Sequence, residues 1–378
     1  MSVHESTPGS VIPAEIYGQF SEHLGRCIYD GIWVGPESDI PNVDGYRSDV
    51  LEALRTLKVP VLRWPGGCFA DDYHWRDGIG PRESRPRMVN SNWGGTVEEL
   101  AKWVEYMTAA DGSQAELRAA NGRREPWKVK YLGIGNETWG CGGNMTPEYY
   151  ADIYKRYNTF ARDYSGNRLY RIASGANNDD YNWTRVLMDR ARWDMHAVSF
   201  HYYSVPEWDN KGSATAFSQE AYYTLLEKAM TVEGLIQNHI AVMAAYDPQK
   251  RVALLLDEWG TWYDVEPGTN PGHLFQQNTL RDAMVAALSL SASRDEAGTL
   301  HLSLVNPSLS EAVSLELSFD ALRPHTVQGE ILTAKDIHAF NAFGKAPAVA
   351  PAPFKGCKVS GGKLHVTLPA ASIVVLSL

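Results

Sequence analysis

The sequence has few cysteines and no excess of positive charge, and both shortages exclude classes of function. Its 378 residues contain four cysteines, Cys27, Cys68, Cys141 and Cys357, with no CxxC pair. That is too few for a disulfide scaffold, so the expectation is reduced thiols in a cytoplasmic protein. With 35 Lys+Arg against 45 Asp+Glu the formal charge is −10, which opposes a nucleic-acid partner or an anionic membrane surface, since both need a basic footprint. No apolar run approaches the length of a membrane span, and the start, MSVHESTPGS, has neither the basic nor the apolar part of a signal peptide. No GxGxxG or Walker pattern follows any strand candidate, which weakens a nucleotide-binding reading.

The aromatic residues stop abruptly. All 12 Trp and all 19 Tyr precede position 264, which marks a domain change. From 298 to 378 apolar and polar positions alternate, as in Thr299-Leu300-His301-Leu302-Ser303-Leu304-Val305, with turn residues at Asn306-Pro307, Gly344, Pro347 and Gly361-Gly362. Period two with such punctuation predicts short antiparallel strands. Residues 12 to 290 instead alternate strand candidates (Ile16 to Phe20, Val59 to Trp64, Lys128 to Gly133, Tyr170 to Ser174, Ala197 to His201, Val252 to Trp259) with helix candidates near 48–57, 96–108, 147–163, 182–190, 218–245 and 274–290. Strand–helix repetition implies a parallel sheet. Polar and aromatic clusters close several strands, at Arg63-Trp64, Asn136-Glu137, His201-Tyr202-Tyr203 and Asp257-Glu258-Trp259. Convergence of strand ends on one site favours a (β/α)₈ barrel over an open sheet. The expected division is therefore 12–290 as barrel and 291–378, with residues 1–11, as a β-sandwich.

Glu137 and Glu258 each end an apolar run, where a charge is costly unless paired or functional. Two carboxylates on different strand ends suit glycoside hydrolysis, one protonating the leaving oxygen while the other attacks the anomeric carbon or activates water. Spacing alone favours, for either one, an ordinary ion pair with a rim arginine. What strengthens the catalytic reading is the company of Trp64, Trp75, Trp93, Trp139, Trp259, Trp262, Tyr202 and Tyr203, since aromatic faces pack against sugar C–H faces. Many of these rings also serve to seal helix–strand contacts. His23, His74, His201 and Asp71-Asp72 lack metal-ligand spacing and read as hydrogen-bonding groups, with no metal and no cofactor expected. Cys68 and Cys141 read as inert buried thiols, since no adjacent base is evident.

Six stretches are recognisable together: IYGQFSEHLGRCIYDGIW (16–33), VPVLRWPGGCFADDYHWRDGIGPRESRP (59–86), KVKYLGIGNETWGCGGNMTPEYYADIYKRY (128–157), ASGANNDDYNW (173–183), SFHYY (199–203) and VALLLDEWGTWYDVEPGTNPG (252–272). They closely resemble bacterial α-L-arabinofuranosidases of glycoside hydrolase family 51, over nearly all of 16–290 and more loosely in the tail. The resemblance implies a (β/α)₈ barrel with a β-sandwich domain, in a cytoplasmic homo-oligomer, commonly a hexamer. It implies a retaining, exo-acting hydrolase that removes terminal α-L-arabinofuranosyl groups from arabinan- or arabinoxylan-type oligosaccharides. Glu137 in GNE matches the acid/base and Glu258 in DEW the nucleophile; Glu22, Arg63, Cys68, Trp93, Asn136, His201 and Tyr203 match the substrate-binding set. Two other readings stay open: another retaining glycosidase of the same barrel superfamily, such as a β-xylosidase or endoglucanase, and a catalytically inactive sugar-binding protein.

The chain departs from the family at two points. Only six barrel strands are found where eight are needed. Gly94-Gly95 runs straight into Thr96 where a third strand and a helix belong, and Leu290 leads directly into Ser291-Ala292-Ser293-Arg294 where the eighth strand belongs. Either residues have dropped out of the numbered sequence at 94–96 and 290–292, or the protein is genuinely shortened there.

Overall fold

The computed structural model describes residues 1–7, 9–86, 95–288, 291–342 and 345–378. It divides into two compact units, one of Ala14–Tyr203 with Val232–Trp259, the other of Met1–Pro13, Ser204–Thr231 and Gly260–Leu378.

The first unit is built on a four-stranded sheet in the order Tyr131–Ile134, Tyr170–Asn177, Ala197–Ser204, Ala253–Thr261. The first three strands pair in parallel, with Ile134 beside Ala173 and Asn177 beside His201. Helices return the chain between strands, and their starts are capped as the sequence suggests. Thr146 accepts from the Tyr149 amide ahead of Pro147–Phe160, and Asp180 accepts from the Trp183 amide ahead of Tyr181–Ala191. Their apolar faces, with Tyr150, Ala151, Tyr154, Trp183, Leu187 and Met188, close over Leu132, Ile134, Ala173 and Val198 in one core. A separate parallel pair, Gln19–Phe20 with Leu62–Arg63, carries the other two predicted strands.

Six strands thus lie where six were expected, but among the described residues they form two separate sheets rather than one closed eight-stranded barrel. Among the described residues no strand lies between Leu62–Arg63 and Tyr131–Ile134. The two predicted junctions adjoin 87–94 and 289–290, outside the described residues. Ile16, predicted as strand, lies instead in a short 3₁₀ turn, Ala14–Tyr17, and the predicted helix over 274–290 shrinks to Leu280–Ala286. Thr279 and Asp282 set that start by capping each other's backbone amides.

The second unit contains two sheets. One orders Ser2–Val3, Val313–Phe319, Lys363–Leu368 and Cys357–Ser360; the other orders Ser291–Arg294, Leu300–Asn306, Ser372–Ser377, Gln328–Thr333 and Ala352–Pro353. The alternation read from sequence has its physical basis here: Leu300, Leu302 and Leu304 on one strand and Leu364, Val366 and Leu368 on another are buried together. A further apolar cluster joins Tyr222, Leu225, Tyr263, Leu280 and Met284 to Val305, Leu332 and Ile373. Through it Ser204–Thr231 and the segment from Gly260 pack with the β-rich residues, a different division from the compositional one.

Leu187 is fully buried in the first unit's core. A Leu187→Ala variant is expected to lose about 2–5 kcal/mol of stability, read as a lower midpoint in urea unfolding. Trp193→Ala, at a side chain 68% exposed, should stay within about 0.5 kcal/mol of the parent.

Candidate active site

Parallel pairing aligns the strand ends, so residues far apart in sequence meet at one edge of the sheet. Glu258 comes from the strand Ala253–Thr261 and is buried. Its Oε1 accepts from Arg63 Nη1 at 2.7 Å and its Oε2 from the Tyr203 hydroxyl at 3.0 Å. Arg63 also donates from Nη2 to Asn136 Oδ1 at 2.5 Å, and its Nε lies 3.4 Å from Asp257 Oδ2. Its guanidinium packs 4.4 Å from the centroid of the Phe20 ring. Burial works against the charge of Arg63, but Asp257 and Glu258 outweigh it and raise its pKa above the ordinary value. A permanent cation therefore faces the Glu258 carboxylate.

Glu137 follows the strand Tyr131–Ile134 and holds a positive φ of 41°, uncommon for a residue with a side chain. His201 spans the carboxylates. Its Nδ1 lies 2.9 Å from Glu137 Oε1 and 3.4 Å from Glu258 Oε2, and its Nε2 lies 3.2 Å from Asp257 Oδ1. Burial alone would discharge this imidazole, but its pairing with Asp257 and Glu137 and the charge of Glu258 raise its pKa to about 10. Asp257, despite burial, is held below the usual carboxylate range by His201 and Arg63. Oxygens of Glu137 and Glu258 lie within 4.8 Å of each other and of a His201 nitrogen.

The WPGGC turn closes the site from the other strand pair. Glu22, buried, accepts from the Phe69 amide at 3.0 Å, and burial raises its pKa with some help from the charge of Glu258. A Cβ on Gly67 would stand 2.8 Å from Glu258 Oε1, so only glycine lets the turn approach the carboxylate this closely. Asn136 is buried, and its Nδ2 has no acceptor among the described residues.

Of the predicted site residues, Glu22, Arg63, Cys68, Asn136, Glu137, His201, Tyr203 and Glu258 come together; Trp93 lies outside the described residues. The cysteine reading is corrected. Cys68 and Cys141 are joined as a disulfide with a Cα–Cα distance of 5.6 Å, 73 residues apart, and neither is an inert reduced thiol. Their sulfurs lie 3.8 and 3.5 Å from Glu137 Oε2. Sequence offered no spacing for this pair, because two unrelated loops bring it together. Trp75 and Tyr202 are also corrected as pocket aromatics: both are buried, and the Trp75 indole donates to the Glu99 carbonyl. Trp64 and Trp259 remain exposed. His74 pairs with Glu99 at 2.9 Å. Two groups were missed. Asp257 braces both Arg63 and His201, and its place in DEW beside Glu258 was the available signal. Asp71, half-buried near Glu137, has its pKa raised to about 7, chiefly by loss of hydration.

Known proteins match along the whole chain. The α-L-arabinofuranosidase 1 domain matches residues 53–99 and 95–222, and the α-L-arabinofuranosidase C-terminal domain matches 257–303 and 291–372. An intracellular exo-α-L-arabinofuranosidase of Bacteroides ovatus is 45% identical over 488 residues, covering 100% of this chain and 95% of the relative. A probable α-L-arabinofuranosidase C of Aspergillus niger is 30% identical, over 86% of this chain and 72% of its own. Among solved structures, the family 51 arabinofuranosidase of Xanthomonas axonopodis pv. citri superposes with a TM-score of 0.95 at 38% identity, covering 100% and 98% of the two chains. The alignment with the Bacteroides relative runs over 488 residues, 110 more than the 378 of this chain. Both domain matches break in two, at 95–99 and 291–303, beside the two junctions where the sequence departs from the family.

His201 carries a sign-definite pH dependence. Its folded pKa of about 10 stands above the ordinary 6.5, so its contribution is fully present below pH 6.5 and is lost as pH rises through about 10. The difference in melting temperature between the parent and a His201→Gln variant should shrink across that window. A constant difference would remove the imidazolium from the account.

Proposed function

The chain belongs to the α-L-arabinofuranosidases of glycoside hydrolase family 51, and we propose that Glu258 is its nucleophile and Glu137 its acid/base in the release of terminal α-L-arabinofuranosyl groups. The observation that carries this reading is the short separation: carboxylate oxygens of the two within 4.8 Å. Retaining glycosidases set their carboxyl groups about 5–5.5 Å apart, whereas inverting ones need about 6.5–9.5 Å to admit a water.

Chemistry follows from how each carboxylate is held. Arg63 and Tyr203 grip the two oxygens of Glu258, orienting a lone pair toward the anomeric carbon and stabilising the ionised form. Attack forms a β-linked glycosyl ester on Glu258 while Glu137 gives its proton to the departing oxygen. Oε1 of Glu137 is engaged by His201, so Oε2 is the oxygen left to exchange that proton. Water then enters, Oε2 takes its proton, and the second inversion restores the α configuration. Asn136 Nδ2 and Glu22 are the groups that would bind the sugar hydroxyls, with exposed Trp64 offering an apolar face. Trp93 belongs to the same proposal by its place in the family motif.

The domain division into 12–290 and 291–378, with residues 1–11, is carried forward as the family's: a (β/α)₈ barrel, its third and eighth strands not found among the described residues, and a β-sandwich. We place the protein in the cytoplasm as a homo-oligomer acting on arabinose-containing oligosaccharides. The Bacteroides relative is named intracellular, and no helix among the described residues is long and apolar enough to cross a membrane.

On an aryl α-L-arabinofuranoside, Glu258→Ala should lower kcat by at least about 10⁴-fold; ordinary turnover would overturn the nucleophile assignment. Glu137→Ala should lose about 10²–10⁴-fold on poor leaving groups and far less on good ones. Azide should rescue that variant as the α-configured arabinosyl azide, because it attacks the β-linked ester from the opposite face. A panel of aryl xylosides and glucosides should be hydrolysed poorly, and preference for one of them would favour the β-xylosidase or endoglucanase reading.

A further inference from the structure

We propose that reduction of the Cys68–Cys141 disulfide by a dithiol opens an inhibitory zinc site formed by Cys68 Sγ, Cys141 Sγ and Glu137 Oε2. The three groups already surround one point: a carboxylate oxygen of Glu137 and both sulfurs lie within 4.8 Å of one another. Zinc bound to thiolate at about 2.3 Å and to carboxylate at about 2.0 Å in a tetrahedron places sulfur and oxygen about 3.5 Å apart. The two sulfurs stand 3.5 and 3.8 Å from Glu137 Oε2, so both S···O edges of that tetrahedron exist before any metal enters. Only the sulfur–sulfur edge is too short while the bond is intact. Breaking it lets side-chain rotation widen that edge to about 3.8 Å, with the Cα atoms 5.6 Å apart and no loop displacement required. Neither cysteine is fully buried, which leaves a path for reductant and metal, and water supplies the fourth ligand.

Two reactions are involved, and each balances. A dithiol gives two electrons and two protons to the cystine, becoming a cyclic disulfide and leaving two protein thiols. Zinc then displaces both thiol protons and binds the two thiolates with the Glu137 carboxylate. An oxidised dithiol reverses the first reaction by thiol–disulfide exchange, taking up the two electrons and two protons as the Cys68–Cys141 bond re-forms. The metal is not catalytic. It occupies the oxygen that must carry the proton, so bound zinc stops turnover, and that inhibition rests on Glu137 being the acid/base. Binding itself does not rest on it.

The test uses the full chain, reduced with dithiothreitol, desalted without air and titrated with zinc chloride or with cobalt(II) as a spectroscopic probe. Reduced protein should take up one zinc, show a thiolate-to-cobalt charge-transfer band and lose arabinosidase activity, which a chelator restores; oxidised protein should do none of these. Cys141→Ser, with Cys68→Ser as the second variant should the first not fold, should weaken binding at least about tenfold and abolish the charge-transfer band's two-thiolate intensity. Equal uptake by oxidised and reduced protein, or none by either, overturns the proposal. Zinc held by the reduced protein at full turnover overturns the seat on Glu137. A protein that binds zinc only when reduced but hydrolyses no arabinoside supports the site while failing the glycosidase reading.

Discussion

Arg63 is the cation on which the site depends. One guanidinium reaches Glu258, Asp257 and Asn136 at once, and these come from two different strand ends while Arg63 comes from a third. Without it, the carboxylates of Asp257 and Glu258 would face those of Glu22 and Glu137 with less positive charge among them. With it, a cation lies 2.7 Å from Glu258 Oε1. His201 adds the second positive charge and sits among three carboxylates rather than one. The arrangement sets four acids, Glu22, Glu137, Asp257 and Glu258, beside two basic side chains, Arg63 and His201.

The backbone contributes as much as the charges. Parallel pairing fixes the strand ends at one level, and the turn after Arg63 comes close enough to Glu258 that Gly67 has no room for a side chain. Glu137 sits at a positive φ, a conformation sustained by the packing beneath it, where the Tyr150 hydroxyl donates to the Ile134 carbonyl at 2.6 Å. The disulfide then ties the turn carrying Cys68 to the turn that follows Glu137. Glu137 is thus flanked by a covalent link, while Glu258 is held by ion pairs.

Much of this was legible in the sequence. Apolar runs ending in Asn136-Glu137, His201-Tyr203 and Asp257-Glu258 located three strand ends, because a charged group after a buried run needs a reason to be there. Period two after residue 298 located the second unit's strands. The rest depended on contacts between remote segments: the Cys68–Cys141 bond, the bracing by Asp257, the burial of Trp75. Neither the disulfide nor the burial of Trp75 leaves a local pattern, and the bracing by Asp257 leaves only its place beside Glu258 in DEW. Strand limits moved for a similar reason, since Leu62–Arg63 is short where Val59 to Trp64 was expected, and a strand lasts only as long as its neighbour does. The shortage of chain where the third and eighth strands were expected was visible as lengths, and the broken domain matches fall at the same two places.

The claim that Glu258 attacks and Glu137 serves as acid/base is most directly tested by trapping the covalent intermediate with a 2-fluoro-arabinofuranosyl substrate bearing a good leaving group, then locating the label by peptide mass spectrometry. A single label on the peptide containing Asp257-Glu258-Trp259, with its fragmentation placing it on Glu258, is the predicted result. A label on Glu137, or no label together with product of inverted configuration, would contradict it.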